Sequence, residues 1–151
     1  MEKFQILVES DISAGLSSEE LQQLSEIAEK RVYKEGEPIV REDEQTRDLY
    51  IVYDGWLSVE VHKHHSSENV FRLQMLRSKG VVGEFSFLDG SRRSADVIAM
   101  DEVKVLVLPY QKLIELMESN NHLGYKLMQN IAKLLCDRVR SANFELRNQI
   151  T

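Results

Sequence analysis

Gly83-Glu84-Phe85-Ser86-Phe87-Leu88-Asp89-Gly90-Ser91-Arg92-Arg93-Ser94-Ala95 is the stretch around which the chain is organised. Gly83 has no side chain, so the backbone there can approach a ligand closely or take a positive φ. Glu84 is an acceptor suited to a sugar hydroxyl. Phe85 to Leu88 is long enough for one helical turn. The first amides of such a turn have no partner inside it, and the partial positive charge at that end suits an anion. Asp89-Gly90 turns the chain back. An arginine then brings a full charge in a fork matched to phosphate oxygens. This is the pattern of a loop built around a small ligand with one phosphate and one sugar.

Two arginines stand side by side, and strand parity separates them. The segment from Arg93 to Met100 reads as a strand, with Ala95, Val97 and Ala99 sharing parity with Arg93. Arg92, Ser94 and Asp96 fall on the more polar face. Arg93 therefore points inward, where a lone guanidinium is costly unless paired. A bound phosphate is its natural partner, and Arg92 reads as a solvated surface residue.

A Gly-Glu pair, an arginine nine residues after the glutamate, and then Ser-Ala resembles the phosphate-binding cassette of the cyclic nucleotide-binding domain family. The Gly-Glu after Tyr33, the Leu-Tyr-Ile-Val before Gly55, and Gly80 also resemble that family's turns and strands. The resemblance implies a mainly β fold: an eight-stranded jelly roll (a double-stranded β-helix) with N-terminal helices and a long C-terminal helix. It implies cAMP or cGMP as ligand, with Gly83, Glu84, Phe85, Ser86, Arg93, Ser94 and Ala95 around phosphate and ribose. Ser94 would help hold phosphate or base, although strand parity turns it away unless the strand is bulged there. Arg138 lies where the family places residues that close over the base; the competing reading is a helix arginine in water or in an ion pair. Leu73, Met75 and Leu76 would form an apolar bed beneath the base, or serve as ordinary core. Leu134, Leu135 and Cys136 read as packing residues.

The chain of 151 residues fits one domain with a proper core. Its net charge of -6 argues against a stand-alone nucleic-acid binder. The balance is uneven: from Asn120 onward five basic residues face two acidic ones. A single cysteine, Cys136, excludes an internal disulfide and any cysteine-only metal cluster. No apolar run approaches the length of a membrane span, and the N-terminus lacks a signal pattern. These features read as a soluble, cytoplasmic protein.

Residues 10–30 hold an N-terminal helix, opened by the Ser17/Glu20 capping box. Residues 31–108 carry the short strands, with Asp54-Gly55 read as a hairpin between Asp48–Tyr53 and Trp56–His62. Residues 109–151 are helical, broken at Asn120-Asn121. Met128, Ile131, Leu135, Val139, Ala142, Leu146 and Ile150 recur three or four apart on the last helix. Its upper part is expected to pack on the barrel, and its lower part to meet a second copy, giving a homodimer.

His62, His64, His65 and Glu68 resemble the first metal motif of cupins, another jelly-roll family. The closing glycine and the second histidine motif are missing, and the tract falls between two strands where polar residues are ordinary. The leading reading is thus a non-catalytic sensor with no cofactor beyond its cyclic nucleotide. Its rivals are a protein-interaction module of the same fold and a cupin-like metal enzyme. No helix-turn-helix follows the long helix before Thr151, so the effector is expected in a separate partner or in a longer protein.

Overall fold

The computed structural model describes residues 1–62, 70–76 and 80–150, with the backbone alone for 70–76 and Ile150. The chain begins with α1 (Lys3–Glu9), a 3-10 turn (Asp11–Ser13) and α2 (Ser18–Ile27). The capping box of α2 is formed: Glu20 N donates to Ser17 Oγ at 3.1 Å, and Ser17 N to Glu20 Oε1 at 3.0 Å. Strands β1 (Glu29–Tyr33), β2 (Pro38–Val40), β3 (Leu49–Asp54), β4 (Leu57–His62), β5 (Val70–Leu76) and β6 (Val81–Val82) follow. The short helix α3 (Glu84–Asp89) precedes β7 (Asp96–Ala99) and β8 (Val103–Leu108), and α4 (Tyr110–Ser119) and α5 (Asn121–Ile150) close the chain.

The strands form two antiparallel four-stranded sheets, ordered β1-β8-β3-β6 and β2-β7-β4-β5. The fold is therefore the expected mainly β jelly roll with flanking helices. Side-chain parity explains its layers. In β8, Val103, Val105 and Val107 point between the sheets, where Tyr50, Val52, Leu57 and Val97 meet them. Leu106 and Leu108 point the other way, onto Leu7, Leu24, Leu113, Leu123, Leu127 and Ile131 of the helices. Because β8 is covered on both faces beyond Lys104, Val105–Leu108 reads as an unbroken apolar run. β-branched residues fill the flat space between sheets, and leucines fill the ridged surface against the helices.

Asp54-Gly55 is not a hairpin. β3 and β4 lie in different sheets, so this turn carries the chain from one sheet to the other. Its partner is the turn at Met100–Glu102: Trp56 N donates to Asp101 Oδ1 at 2.8 Å, and Met100 N to Trp56 O at 2.9 Å. Gly55 has φ +97, and a Cβ there would lie 2.5 Å from Glu102 O. An Asp-Gly pair signals a sharp reversal, but not whether the next strand pairs with the last one.

The strand expected from Arg93 begins at Asp96. Arg93 pairs instead with the loop after β2, accepting from Asp43 N at 2.8 Å and donating to Glu44 O at 2.9 Å. Arg93, Ala95, Val97 and Ala99 nonetheless share one inward face and are all buried.

Helix α5 has two apolar faces, not the single stripe read from the sequence. Leu123, Leu127 and Ile131 are buried on the barrel, whereas Met128, Val139 and Leu146 stand in water. Cys136, expected to pack, is exposed. No helix among the described residues is long and apolar enough to cross a membrane.

Candidate functional site

Gly83 opens the site as the residue before α3, in the left-handed region at φ 96, ψ 11. A Cβ there would lie 2.6 Å from Arg93 Nη1 and 2.7 Å from Asp48 O. Glycine is thus demanded both by the backbone and by the close approach of the arginine. The first recorded bond of the helical turn is Phe87 N to Gly83 O at 3.0 Å, so the amides of Glu84, Phe85 and Ser86 precede it.

Arg93 is 3% exposed. Nε donates to Thr46 Oγ1 at 3.0 Å, Nη1 to Gly83 O at 3.2 Å and Nη2 to Asp48 O at 3.0 Å. The guanidinium is therefore not lone, as the sequence reading had it. Three neutral acceptors hold it, and among the described residues no carboxylate forms an ion pair with it. A guanidinium has five N–H groups. Three are used by described residues, and among these one each on Nη1 and Nη2 remains. Burial pulls the Arg93 pKa below the ordinary guanidinium value; nearby Tyr50, Glu44, Asp48 and Glu84 oppose that shift. Tyr50 lies beneath, its ring centroid 5.9 Å from the guanidinium carbon. Burial pushes its hydroxyl up to about 12, so it stays neutral.

Glu84 is also 3% exposed. Arg138 Nη1 donates to Glu84 Oε1, and Arg138 Nη2 donates to Val81 O at 2.6 Å. Of the two readings of Arg138, the ion pair is what the structure contains: the arginine of α5 grips the cassette glutamate.

Gly83, Glu84, Phe85, Ser86, Arg93, Ser94 and Ala95 face one cavity of about 770 Å³. Phe85 is half exposed at its mouth. Ser94, left open by parity, is exposed and reaches the cavity as well. Arg138 and Leu134 line it from α5. Leu135 instead packs against the helical core. The side chains of Leu73, Met75 and Leu76 lie outside the described set, as do His64, His65 and Glu68. His62 Nε2 sits 2.7 Å from Asp96 Oδ2. Among the described residues, no three metal-ligating side chains converge.

Sequence reasoning missed three parts of the wall. Val40, Val59 and Val97 supply apolar surface from the second sheet. Asp11, Ile12 and Ala14 approach from the N-terminal turn. Asn130, buried on α5, donates through Nδ2 to Ile12 O and Ala14 O, both at 2.8 Å, and so ties that turn to the helix. An amide between Leu127, Ile131 and Leu134 was the available signal, since a buried amide must find partners.

The family model of the cyclic nucleotide-binding domain matches residues 30–120. The chain is 28% identical over 137 residues to the cyclic AMP receptor protein of Thermus thermophilus, covering 91% of this chain and 61% of that protein. It is also 28% identical over 137 residues to glutaminase 1 of Bradyrhizobium diazoefficiens, but spans only 21% of it. The crystal structure of a cyclic nucleotide-binding domain from Methylobacillus flagellatus superposes with a TM-score of 0.85 at 20% identity, covering 98% of this chain and 82% of that one. With the cassette geometry and a match over most of the barrel, the chain belongs to the cyclic nucleotide-binding domain family.

Proposed function

We propose that this chain is a non-catalytic cytoplasmic sensor that binds cAMP in preference to cGMP and reports occupancy through α5. The observation that carries the reading is Arg93: a buried cation, seated by neutral acceptors, with two N–H groups unspent beside a cavity. A cyclic phosphate supplies the missing anion, and the amides at the start of α3 share it. The ribose hydroxyl donates to Glu84 Oε2, while Oε1 remains with Arg138. The base lies toward α5, over the bed expected from Leu73 and Met75. Relatedness to a protein named for cyclic AMP supports that ligand over cGMP. No further cofactor, membrane or direct nucleic-acid contact is part of this reading.

The signal leaves through α5 because ligand and helix meet at Glu84. A ligand that favours one position of Arg138 shifts the helix by its difference in affinity for the two positions. Met128, Ala132, Val139 and Leu146 stand exposed along α5 at intervals of four and seven, close to the repeat of a two-helix seam. A second copy of the chain is the occupant that best fits such a seam.

The test is a thermal-shift and calorimetric screen against cAMP, cGMP and cyclic dinucleotides. A ligand at 100 times its Kd stabilises the folded state by about 2.7 kcal/mol. A rise in Tm with cAMP, larger than with cGMP, is the expected result. If no nucleotide raises Tm or gives heat while the protein self-associates, the interaction-module reading replaces this one.

A further inference from the structure

Two consecutive residues absent from the ligand reading stand between the cassette and the helical arm. Arg47 reaches the end of α3, where Nε donates to Ser86 O at 3.1 Å and Nη2 to Phe87 O at 2.9 Å. Ser86 O also accepts from Gly90 N at 2.9 Å, and the planar fork holds two carbonyls of this turn at once. The same guanidinium lies 4.1 Å from the ring centroid of Tyr110, the first residue of α4. Phe87 meets that ring edge-on, with centroids 5.8 Å apart. Gly90 leaves room for the arginine: a Cβ there would lie 3.3 Å from the guanidinium carbon.

Asp48 works in the other direction. Its Oδ1 accepts the Tyr110 amide at 2.7 Å, capping α4. Its main-chain oxygen accepts from Arg93 Nη2 at 3.0 Å. One residue thus touches the buried cation with its backbone and the next helix with its side chain. We propose that Arg47 and Asp48 are positioning residues that join the anion site to the start of α4, so that a displacement of Arg93 or α3 is felt at Tyr110. The linkage exists without ligand; its meaning as signal transmission rests on the reading of Arg93 as the phosphate partner.

Hydrogen exchange on the full chain tests it in two arms. In the first, without ligand, exchange is followed at Phe87 and Gly90 in Tyr110→Leu and Arg47→Met, and at Leu113 in Arg93→Met. Perturbing one end speeds exchange at the other roughly five- to tenfold, while the amides of β8 stay unchanged. Asp48→Asn retains wild-type exchange at Leu113, because its amide oxygen still accepts from Tyr110, whereas Asp48→Ala does not. Arg47→Lys fails to restore α3, because one ammonium cannot reproduce the planar fork. If far-end exchange stays within about twofold of wild type, the linkage is overturned. It is equally overturned if Asp48→Asn and Asp48→Ala behave alike. Should Asp48→Ala fail to fold, the Tyr110→Leu and Arg47→Met pair decides alone. The second arm adds saturating cAMP, which slows exchange at both α3 and α4 in the wild type but only at α3 in Arg47→Met. Protection at α4 that persists in Arg47→Met overturns the linkage. A wild type indifferent to cAMP, with linkage present in the first arm, removes the ligand reading and leaves the linkage standing.

Discussion

Replacing Arg93 with methionine keeps an apolar stem in the barrel and removes the charge and its fork. Two consequences follow, and they separate in the assay. In the ligand-free protein, Gly83 O, Asp48 O and Thr46 Oγ1 each lose a donor. Buried acceptors left unpaired cost about 1–3 kcal/mol, partly offset because the charged form no longer has to be desolvated. The pKa of Arg93, depressed by burial, is the sign of that opposing term. In the complex, the variant lacks the two N–H groups that would meet phosphate oxygens. Their loss costs about 2–3 kcal/mol of binding, roughly a 30- to 150-fold weaker Kd. Calorimetry with cAMP reads the second effect, and a urea melt of the ligand-free protein reads the first. Arg93→Lys restores the charge without the fork and falls between the two. An Arg93→Met variant that is folded and binds cAMP with unchanged affinity would falsify the assignment of this side chain to the ligand.

Gly83→Ala forces a Cβ into contact with Arg93 Nη1 and Asp48 O at φ +96, so a loss of about 1–3 kcal/mol in stability, with weaker cAMP binding, is expected from melts and calorimetry. Burial would raise the pKa of Glu20, but bonds from the Ser17 amide and His122 more than offset it, holding it below its usual 4.5. A depressed carboxylate contributes stability above its unfolded pKa and loses it as pH falls through the folded one. Glu20→Gln is therefore less stable than wild type by about 1 kcal/mol at neutral pH, and the gap in urea midpoint closes below about pH 4.5; a constant gap would refute the linkage. Val139→Lys with Leu146→Lys places charge on the exposed stripe of α5, so sedimentation should show loss of self-association. The monomer's own stability should change by no more than about 0.5 kcal/mol.

The sequence carried the layers of the fold because burial on a sheet follows parity. Val105 and Leu106 could be assigned to opposite faces before any coordinates. The cassette was legible for the same reason, since Arg93 shares parity with Ala95 and Val97. Asp54-Gly55 misled because a turn signal is local, whereas the choice of the next neighbour depends on the 100–102 turn, distant in sequence. Arg138 could be brought to the site only through the family resemblance, which set it over the base rather than on Glu84. Its grip on that carboxylate depends on how a helix 54 residues later lies across the barrel. Arg47 and Asp48 carried no motif, because their side chains bond main-chain atoms that leave no trace in residue type.

Asn130 has a practical consequence for anyone wishing to watch this molecule respond. By holding the carbonyls of Ile12 and Ala14, it yokes the beginning of the chain to the rod at its end. Fluorophores attached near both termini would travel together and stay silent through any swing of that rod. A reporter pair needs one member on the stationary shell, and Glu35, exposed in the turn before β2, is an open place to put it.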